Sequence, residues 1–286
     1  IVAANSCDHV RKLYENWHDV IGLPYGHLIC FPKCRGEERS EELARRFGAF
    51  KKDFEDHFGV TVTDDDLAAA IDLHDAIREK QAELATLRAA DAPALTGTQF
   101  MTIMIAGTCM PRDEYLRALD ALVAECRQAP GEDGVRVRVV VYGGELDDPA
   151  FMEAIESQGA LVVGDSLGSF GSRAFDYRVG SEGDLLRNLA DALLMRRCGE
   201  PRIHGTRVER WERVRRIVRE CRAQGVIQVH IPICDLWSYE RMMFDTFAER
   251  EGIACLDLDT EYIFSSAGQT RTRVQAFVES IMEGGR

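Results

Sequence analysis

Apolar positions along this chain recur with two alternating periods, and their alternation predicts strands and helices in turn. Ile1 to Ala4 is a short apolar run ending in small residues. From Asp8 onward, Val10, Leu13, Tyr14 and Trp17 share one helical face, so Cys7 falls at a strand-to-helix turn. "YGHLICFPKC" reads as a second short strand. A charged stretch and a helix over about 41–58 follow, with Leu43, Phe47, Phe50 and Phe54 inward and Gly59 as its stop. Thr63 before a run of aspartates predicts a helix start, because the hydroxyl caps free N–H groups and the acids suit the helix dipole. That amphipathic helix runs to about Ala90, and "DAPALTG" is the clearest linker. "TQFMTIMIAGT" and "PRDEYLRALDALVAECRQA" then predict a helical region joining two α/β halves.

The pattern changes at Gly134. "VRVRVVVYG", "DDPAFMEAIESQG" and "ALVVGD" read as strand, helix and strand, a βαβ unit. The alternation resumes in "ERVRRIVRECRAQ", "GVIQVHIP", "SYERMMFDTFAERE", "GIACLDLD" and a last helix over about 270–282. The predicted class is α/β, with a doubly wound sheet of about four strands in the second domain. The expected division is 1–92 for part of a first α/β domain, 93–133 for the helical connection and 134–286 for the second domain.

Composition narrows the functions. With 286 residues, 45% of them hydrophobic, and no apolar run of membrane-spanning length, the chain reads as a soluble, cytoplasmic protein. Its 35 basic and 48 acidic residues leave a net charge of −13, which opposes attraction to nucleic acid or anionic lipid. Nine cysteines spread over this length suggest reduced thiols rather than a disulfide scaffold. The chain begins without methionine, inside an apparent strand, so a preceding segment of the first domain is expected.

Candidate chemistry centres on a parallel between "VAANSCD" and "VHIPICD". Each ends an apolar strand with Cys-Asp and then starts a helix. A thiol there lies near helix N-terminal N–H groups, which favour the thiolate and make it a better ligand or nucleophile. If two α/β domains face each other, Cys7 and Cys234 can converge in the crevice; otherwise each is a buried small hydrophobe. Cys198, after a helix in "LLMRRCGEPR", either approaches the same crevice or packs beneath it. Cys30 and Cys34 have no second close pair to complete a zinc set. Cys109, Cys126, Cys221 and Cys255 fit apolar faces. "GDSLGSFGSRAF" offers Gly168, Ser169, Gly171, Ser172 and Arg173 for a phosphate or carbonyl, or is a closely packed turn. "SSAGQTRTRVQAF" offers Gln269, Thr270, Arg271, Thr272 and Arg273, or merely caps a helix. Glu145 stands in an acidic loop that is either solvated or turned to the crevice. G-x-G-x-x-G, Walker A and H-E-x-x-H patterns are absent from the sequence.

Taken in order, "AANSCDHVRKLYENW", "VVVYGGELDDPAFMEAIESQGALVVGD", "GSFGSRAF", "GVIQVHIPICDLWSYE" and "GQTRTRVQAF" resemble the family of 2-hydroxyacyl-CoA dehydratase and benzoyl-CoA reductase subunits, over nearly the whole chain. The resemblance implies two doubly wound (Rossmann/flavodoxin-like) α/β domains with helical additions, the first incomplete in this chain. It implies a 4Fe-4S cluster held by three cysteines. Carried onto this sequence, two are Cys7 and Cys234, and the third is expected upstream of Ile1. Cys198 matches a recurrent family cysteine and stands as a further candidate metal ligand. Relatives often carry a cysteine near Gly168, which puts a cluster role for this loop in doubt. The candidate substrate contacts are Gly171, Ser172, Arg173, Gln269, Thr272 and Arg273.

Such a cluster leaves one iron open to water or a thioester carbonyl. The implied partners are a homologous second subunit, forming a heterodimer or homodimer, an acyl-CoA substrate and a separate ATP-hydrolysing iron–sulfur activator. The implied reaction is one-electron reduction of the thioester to a ketyl radical and elimination of water. Ring reduction of benzoyl-CoA, a double-cubane reductase of small molecules and, from another class, a non-catalytic α/β scaffold subunit stand as alternatives.

Overall fold

The computed structural model describes residues 1–131, 134, 136–261 and 267–284. In chain order its elements are β1 Val2–Ala4, α1 Asp8–Asn16, β2 His27–Ile29, α2 Glu37–Phe58, α3 Asp64–Ala89, α4 Gly97–Cys109 and α5 Arg112–Gln128. There follow β3 Val137–Gly143, α6 Pro149–Glu156, β4 Ala160–Ser166, α7 Leu185–Asp191, α8 Arg207–Glu220, β5 Gly225–His230, α9 Asp235–Glu251, β6 Ala254–Asp259 and α10 Ala267–Gly284. The class is α/β, with every strand pair parallel. Helix starts follow local chemistry. Asp66 accepts from Thr63 N at 2.8 Å while Thr63 Oγ1 accepts from Asp66 N at 3.1 Å, so each residue satisfies a donor that helix geometry leaves free. Thr96 and Gln99 do the same for α4.

The chain forms two compact units, Ile1–Asp75 with Tyr177–Arg207, and Ala76–Asp176 with Val208–Arg286. This differs from the contiguous segments 1–92, 93–133 and 134–286 expected from sequence. In the first unit β1 and β2 pair in register, Val2 with His27 and Ala4 with Ile29, joined through α1. Leu43 and Phe47 of α2 are buried against Ala190 and Leu194, which explains why the later stretch belongs here. Polar ties reinforce the packing: Arg35 donates to the carbonyls of Leu194 and Arg197 at 2.9 and 2.7 Å. The Asp75 carboxylate accepts from the backbone N–H groups of Val179 and Gly180. Phe50 and Phe54, expected inward, are half-buried and meet the rings of His27 and Tyr25.

In the second unit the sheet order is β4-β3-β5-β6. The chain therefore winds outward from β3 to β4, returns past β3, and continues through β5 to β6. That reversal puts a topological switch point at the carboxyl ends of β3 and β5, where open sheets of this kind leave a crevice. Alternating side chains explain the two covered faces. Val139 and Val141 join a core with Met101, Phe151, Ile155, Val274 and Phe277, while Val140 and Tyr142 join one with Val214, Ile217, Phe244 and Ala248. Met101 places α4 on the sheet, so the helical stretch after the linker packs within this unit. There the buried Glu156 carboxylate accepts from the N–H groups of Gly97 and Thr98 at 2.7 and 3.0 Å.

A buried ion pair locks two helices to the central strand. Arg210 of α8 donates to both oxygens of Glu240 on α9, at 3.0 and 2.7 Å, and each side chain is only 3% exposed. Glu240 Oε1 also accepts from Tyr142 Oη at 2.6 Å and Trp211 Nε1 at 2.8 Å. Burial, then the neighbouring carboxylate, pushes the Tyr142 hydroxyl well above its ordinary pKa, so it stays a donor. Glu240→Ala should lower the unfolding free energy by about 3–5 kcal/mol, because it strands the Arg210 charge in the interior. Glu240→Gln should cost less. Urea unfolding followed by tryptophan fluorescence measures both.

Candidate functional site

Both Cys-Asp turns form as expected, one in each unit. Cys7 follows the carboxyl end of β1 and caps α1, its sulfur accepting from Val10 N at 3.5 Å. Cys234 follows β5 and caps α9, with no hydrogen bond from its side chain to the helix. Both thiols are half-buried and outside any disulfide. The difference in capping matters: the Cys7 sulfur already accepts an N–H of its helix, whereas the Cys234 sulfur accepts none from its own.

The turn that delivers Cys234 is strained. Ile233 has φ of +71°, a conformation its β-branched side chain strongly disfavours, and it is 81% exposed. Such a backbone costs of order 1–3 kcal/mol and persists where its surroundings over-determine it. Here the Cys234 carbonyl accepts from both the N–H and the hydroxyl of Ser238, each at 2.9 Å, and Cys234 N donates to the Ile231 carbonyl at 3.1 Å.

A polar network missed by sequence reasoning lies behind this turn. His230 ends β5 and Asp259 ends β6, and the two are register partners across the sheet. His230 Nδ1 is 3.0 Å from Asp259 Oδ1, and its Nε2 is 2.8 Å from Ser238 Oγ. Arg241 donates to Asp259 at 2.5 Å and also bonds Asp257. Burial works to raise the Asp259 pKa, but the hydrogen bonds from His230 and Arg241 outweigh it and hold the carboxyl below its ordinary value. A polar residue closing each of two strands was the visible signal. Its meaning depended on those strands being neighbours.

The loop after β4 turns inward. Arg173 is fully buried and donates to the carbonyls of Leu167 and Gly143 at 3.0 and 2.9 Å, with its guanidinium over the Trp237 ring. Ser172 donates to the Asp165 carbonyl at 2.6 Å and accepts from Arg213 at 2.7 Å. Asp165 itself pairs with buried Arg88 at 2.6 Å. At Gly171 a side chain would collide with the Asp165 carboxylate, which accepts from Ser172 N. The hydrogen-bonding capacity of these loop residues is thus used inside the protein. Glu145 accepts from Ser169 N at 2.7 Å, and a β-carbon at Gly168 would have to displace its carboxylate. Gln269, Thr272 and Arg273 are exposed in the first turns of α10. Thr272 donates to the Gly268 carbonyl and Arg273 to the Asp257 carbonyl. Residues 262–266, and so the start of the expected "SSAGQTRTRVQAF" motif, lie outside the described residues.

The remaining thiols divide by environment. Cys198 and Cys221 are buried and Cys109 is exposed. Burial, then the Asp245 and Asp257 charges, pushes the Cys255 thiol up to about 12. Cys7 and Cys234 are the thiols that combine access with a helix N-terminus, and soft thiolate donors suit an iron–sulfur group. The chemistry of each fits a ligand of such a group. Among the described residues no three Cys, His, Asp or Glu side chains are grouped to hold a metal ion. No helix among them is long and apolar enough to cross a membrane.

The chain belongs to the 2-hydroxyglutaryl-CoA dehydratase D-component family, which it matches over residues 1–281. It is 26% identical to YjiM of Escherichia coli (strain K12), which bears a provisional dehydratase-subunit name; the match covers 98% of this chain and 74% of the relative. Against the beta subunit of (R)-2-hydroxyglutaryl-CoA dehydratase of Acidaminococcus fermentans the identity is 24%, over 98% and 75% of the two chains. Against the (R)-phenyllactyl-CoA dehydratase beta subunit of Clostridium sporogenes it is 21%, again over 98% and 75%.

The thiol assignments have a direct check. At pH 8 a thiol with a pKa of about 12 is thiolate in roughly one molecule in ten thousand, and only the thiolate is alkylated. Under native conditions iodoacetamide should label Cys109 and leave Cys255 and Cys221 unlabelled, as read by peptide mass spectrometry.

Proposed function

We propose that this chain is the iron–sulfur subunit of a 2-hydroxyacyl-CoA dehydratase-type enzyme, eliminating water from a 2-hydroxyacyl-CoA together with a homologous partner subunit. Cys7 and Cys234 serve as thiolate ligands of a 4Fe-4S cluster, with further ligation from outside this pair. The observation that carries the reading is the repeated Cys-Asp turn, in a family of dehydratase components. The family uses iron–sulfur clusters, and the relatives named above are dehydratase subunits, which favours elimination over ring reduction.

When bound, such a cluster supplies single electrons and an open iron site for an oxygen ligand. The chain's own residues do the rest. The switch point at β3 and β5 provides the crevice, and the Ser238 contacts hold the Cys234 turn. The electron source on this reading is a separate ATP-dependent activator.

Anaerobically reconstituted protein, with partner subunit, activator and ATP, should convert a 2-hydroxyacyl-CoA to the enoyl thioester and leave benzoyl-CoA unreduced. Cys7→Ala and Cys234→Ala should each lower bound iron and turnover at least about tenfold, the scale of damage expected for a metal site. Cys109→Ala should keep both. A full complement of iron in either ligand variant would refute the assignment.

A further inference from the structure

We infer that Asp259, His230 and Ser238 form a positioning relay that fixes the Cys234 turn and so the direction in which its thiol is presented. The inference rests on the reading of Cys234 as a metal ligand. Three observations carry it. First, the turn is strained and has no side-chain cap: Ile233 sits at φ of +71°, Cys234 makes no side-chain bond to its helix, and the internal tie is the bond from Cys234 N to the Ile231 carbonyl at 3.1 Å. Second, Ser238 clamps the turn through two donors on one acceptor, its N–H and its hydroxyl both meeting the Cys234 carbonyl at 2.9 Å. Third, the hydroxyl is itself held by His230 Nε2 at 2.8 Å, and that ring is buried at 8% exposure.

Proton bookkeeping gives the relay its direction. A serine hydroxyl donates one proton. With that proton on the Cys234 carbonyl, Ser238 Oγ must accept from His230, so Nε2 carries a hydrogen. Two arrangements of the ring satisfy this. A neutral ring leaves Nδ1 to accept from Arg241 Nη1 at 3.3 Å, and a charged ring donates Nδ1–H to Asp259 at 3.0 Å. In the first, Asp259 acts on the ring through Arg241, which donates to the carboxylate at 2.5 Å; in the second it holds the ring directly; in both, Nε2 faces the serine. Carboxylate, imidazole and hydroxyl here share the spacing of a hydrolase triad, but the hydroxyl proton is spent on a main-chain carbonyl. The constellation therefore positions a backbone rather than generating a nucleophile.

Ser238→Ala removes the clamp and Ser238→Thr keeps a hydroxyl. In the full chain freed of iron, alkylation of Cys234, located by peptide mass spectrometry, should rise about fivefold in Ser238→Ala, the factor one ordinary hydrogen bond carries. It should return toward the starting rate in Ser238→Thr, with Cys109 as the unchanged reference. In reconstituted protein Ser238→Ala should keep its iron and shift its electron paramagnetic resonance spectrum. An unchanged Cys234 rate in a folded Ser238→Ala variant overturns the relay. If that variant does not fold, the same result in His230→Gln overturns it. Whether Cys234 holds iron is read separately, from the iron content of Cys234→Ala, so either reading can fail without the other.

Discussion

A carboxylate cut off from water must be surrounded by donors, and Glu240 sets the geometry of the second unit for that reason. Its partners come from two elements, Tyr142 from β3 and Arg210 and Trp211 from α8, and they tie both to its own helix α9. Arg210 cannot shift without leaving two charges uncompensated, nor the neutral donors without costing the carboxylate a hydrogen bond. A buried pair of this sort adds little net stability over an apolar replacement, but it distinguishes one packing from its near alternatives. It fixes the rotation of α9 about its axis. Phe244 and Ala248 then face the sheet, Trp237 lies under Gly144, and the start of the helix, with Cys234, meets the end of β5.

That placement is a consequence of parallel topology. All strands of the sheet end at the same edge, so the residues that follow them collect there whatever their separation along the chain. Gly144 and Glu145 follow β3, Cys234 follows β5, and His230 and Asp259 close β5 and β6. The first unit repeats the local solution on a smaller sheet, with Cys7 following β1. The two turns are not equivalent, however. The Cys7 side chain caps its own helix, while the Cys234 turn is held through its carbonyl by Ser238 of α9, with His230 of β5 and Asp259 of β6 behind it.

Much of this was legible in the sequence. Buried parallel strands must be apolar on both sides, so "VRVVVYG" and "ALVVGDS" declare themselves, and Thr63 and the two Cys-Asp turns mark helix starts by their side-chain chemistry. Partnership was not legible. The spacing of Leu43 and Phe47 says that α2 buries a face, but not that Ala190 and Leu194 cover it, and so the return of the chain to the first unit went unseen. The Gly-Ser-Arg loop shows the same limit from the polar side. Its residue types suit a ligand, yet Asp165, Arg213 and two backbone carbonyls use them first. His230 and Asp259 gain meaning only once β5 and β6 are known to be neighbours.

The strand order also bears on how the chain acquires its structure. β3 is the first strand of its sheet to be made, and β4 follows after a short helix, but the other edge of β3 is reserved for β5. Between them the chain leaves for Tyr177–Arg207, which joins the other unit. Throughout that interval a strand with four valines in its seven residues stands with one row of N–H and C=O groups unpaired. Such an edge invites pairing with another chain. Emergence from the ribosome is thus the moment of greatest exposure to aggregation, and prompt docking of β5 closes it.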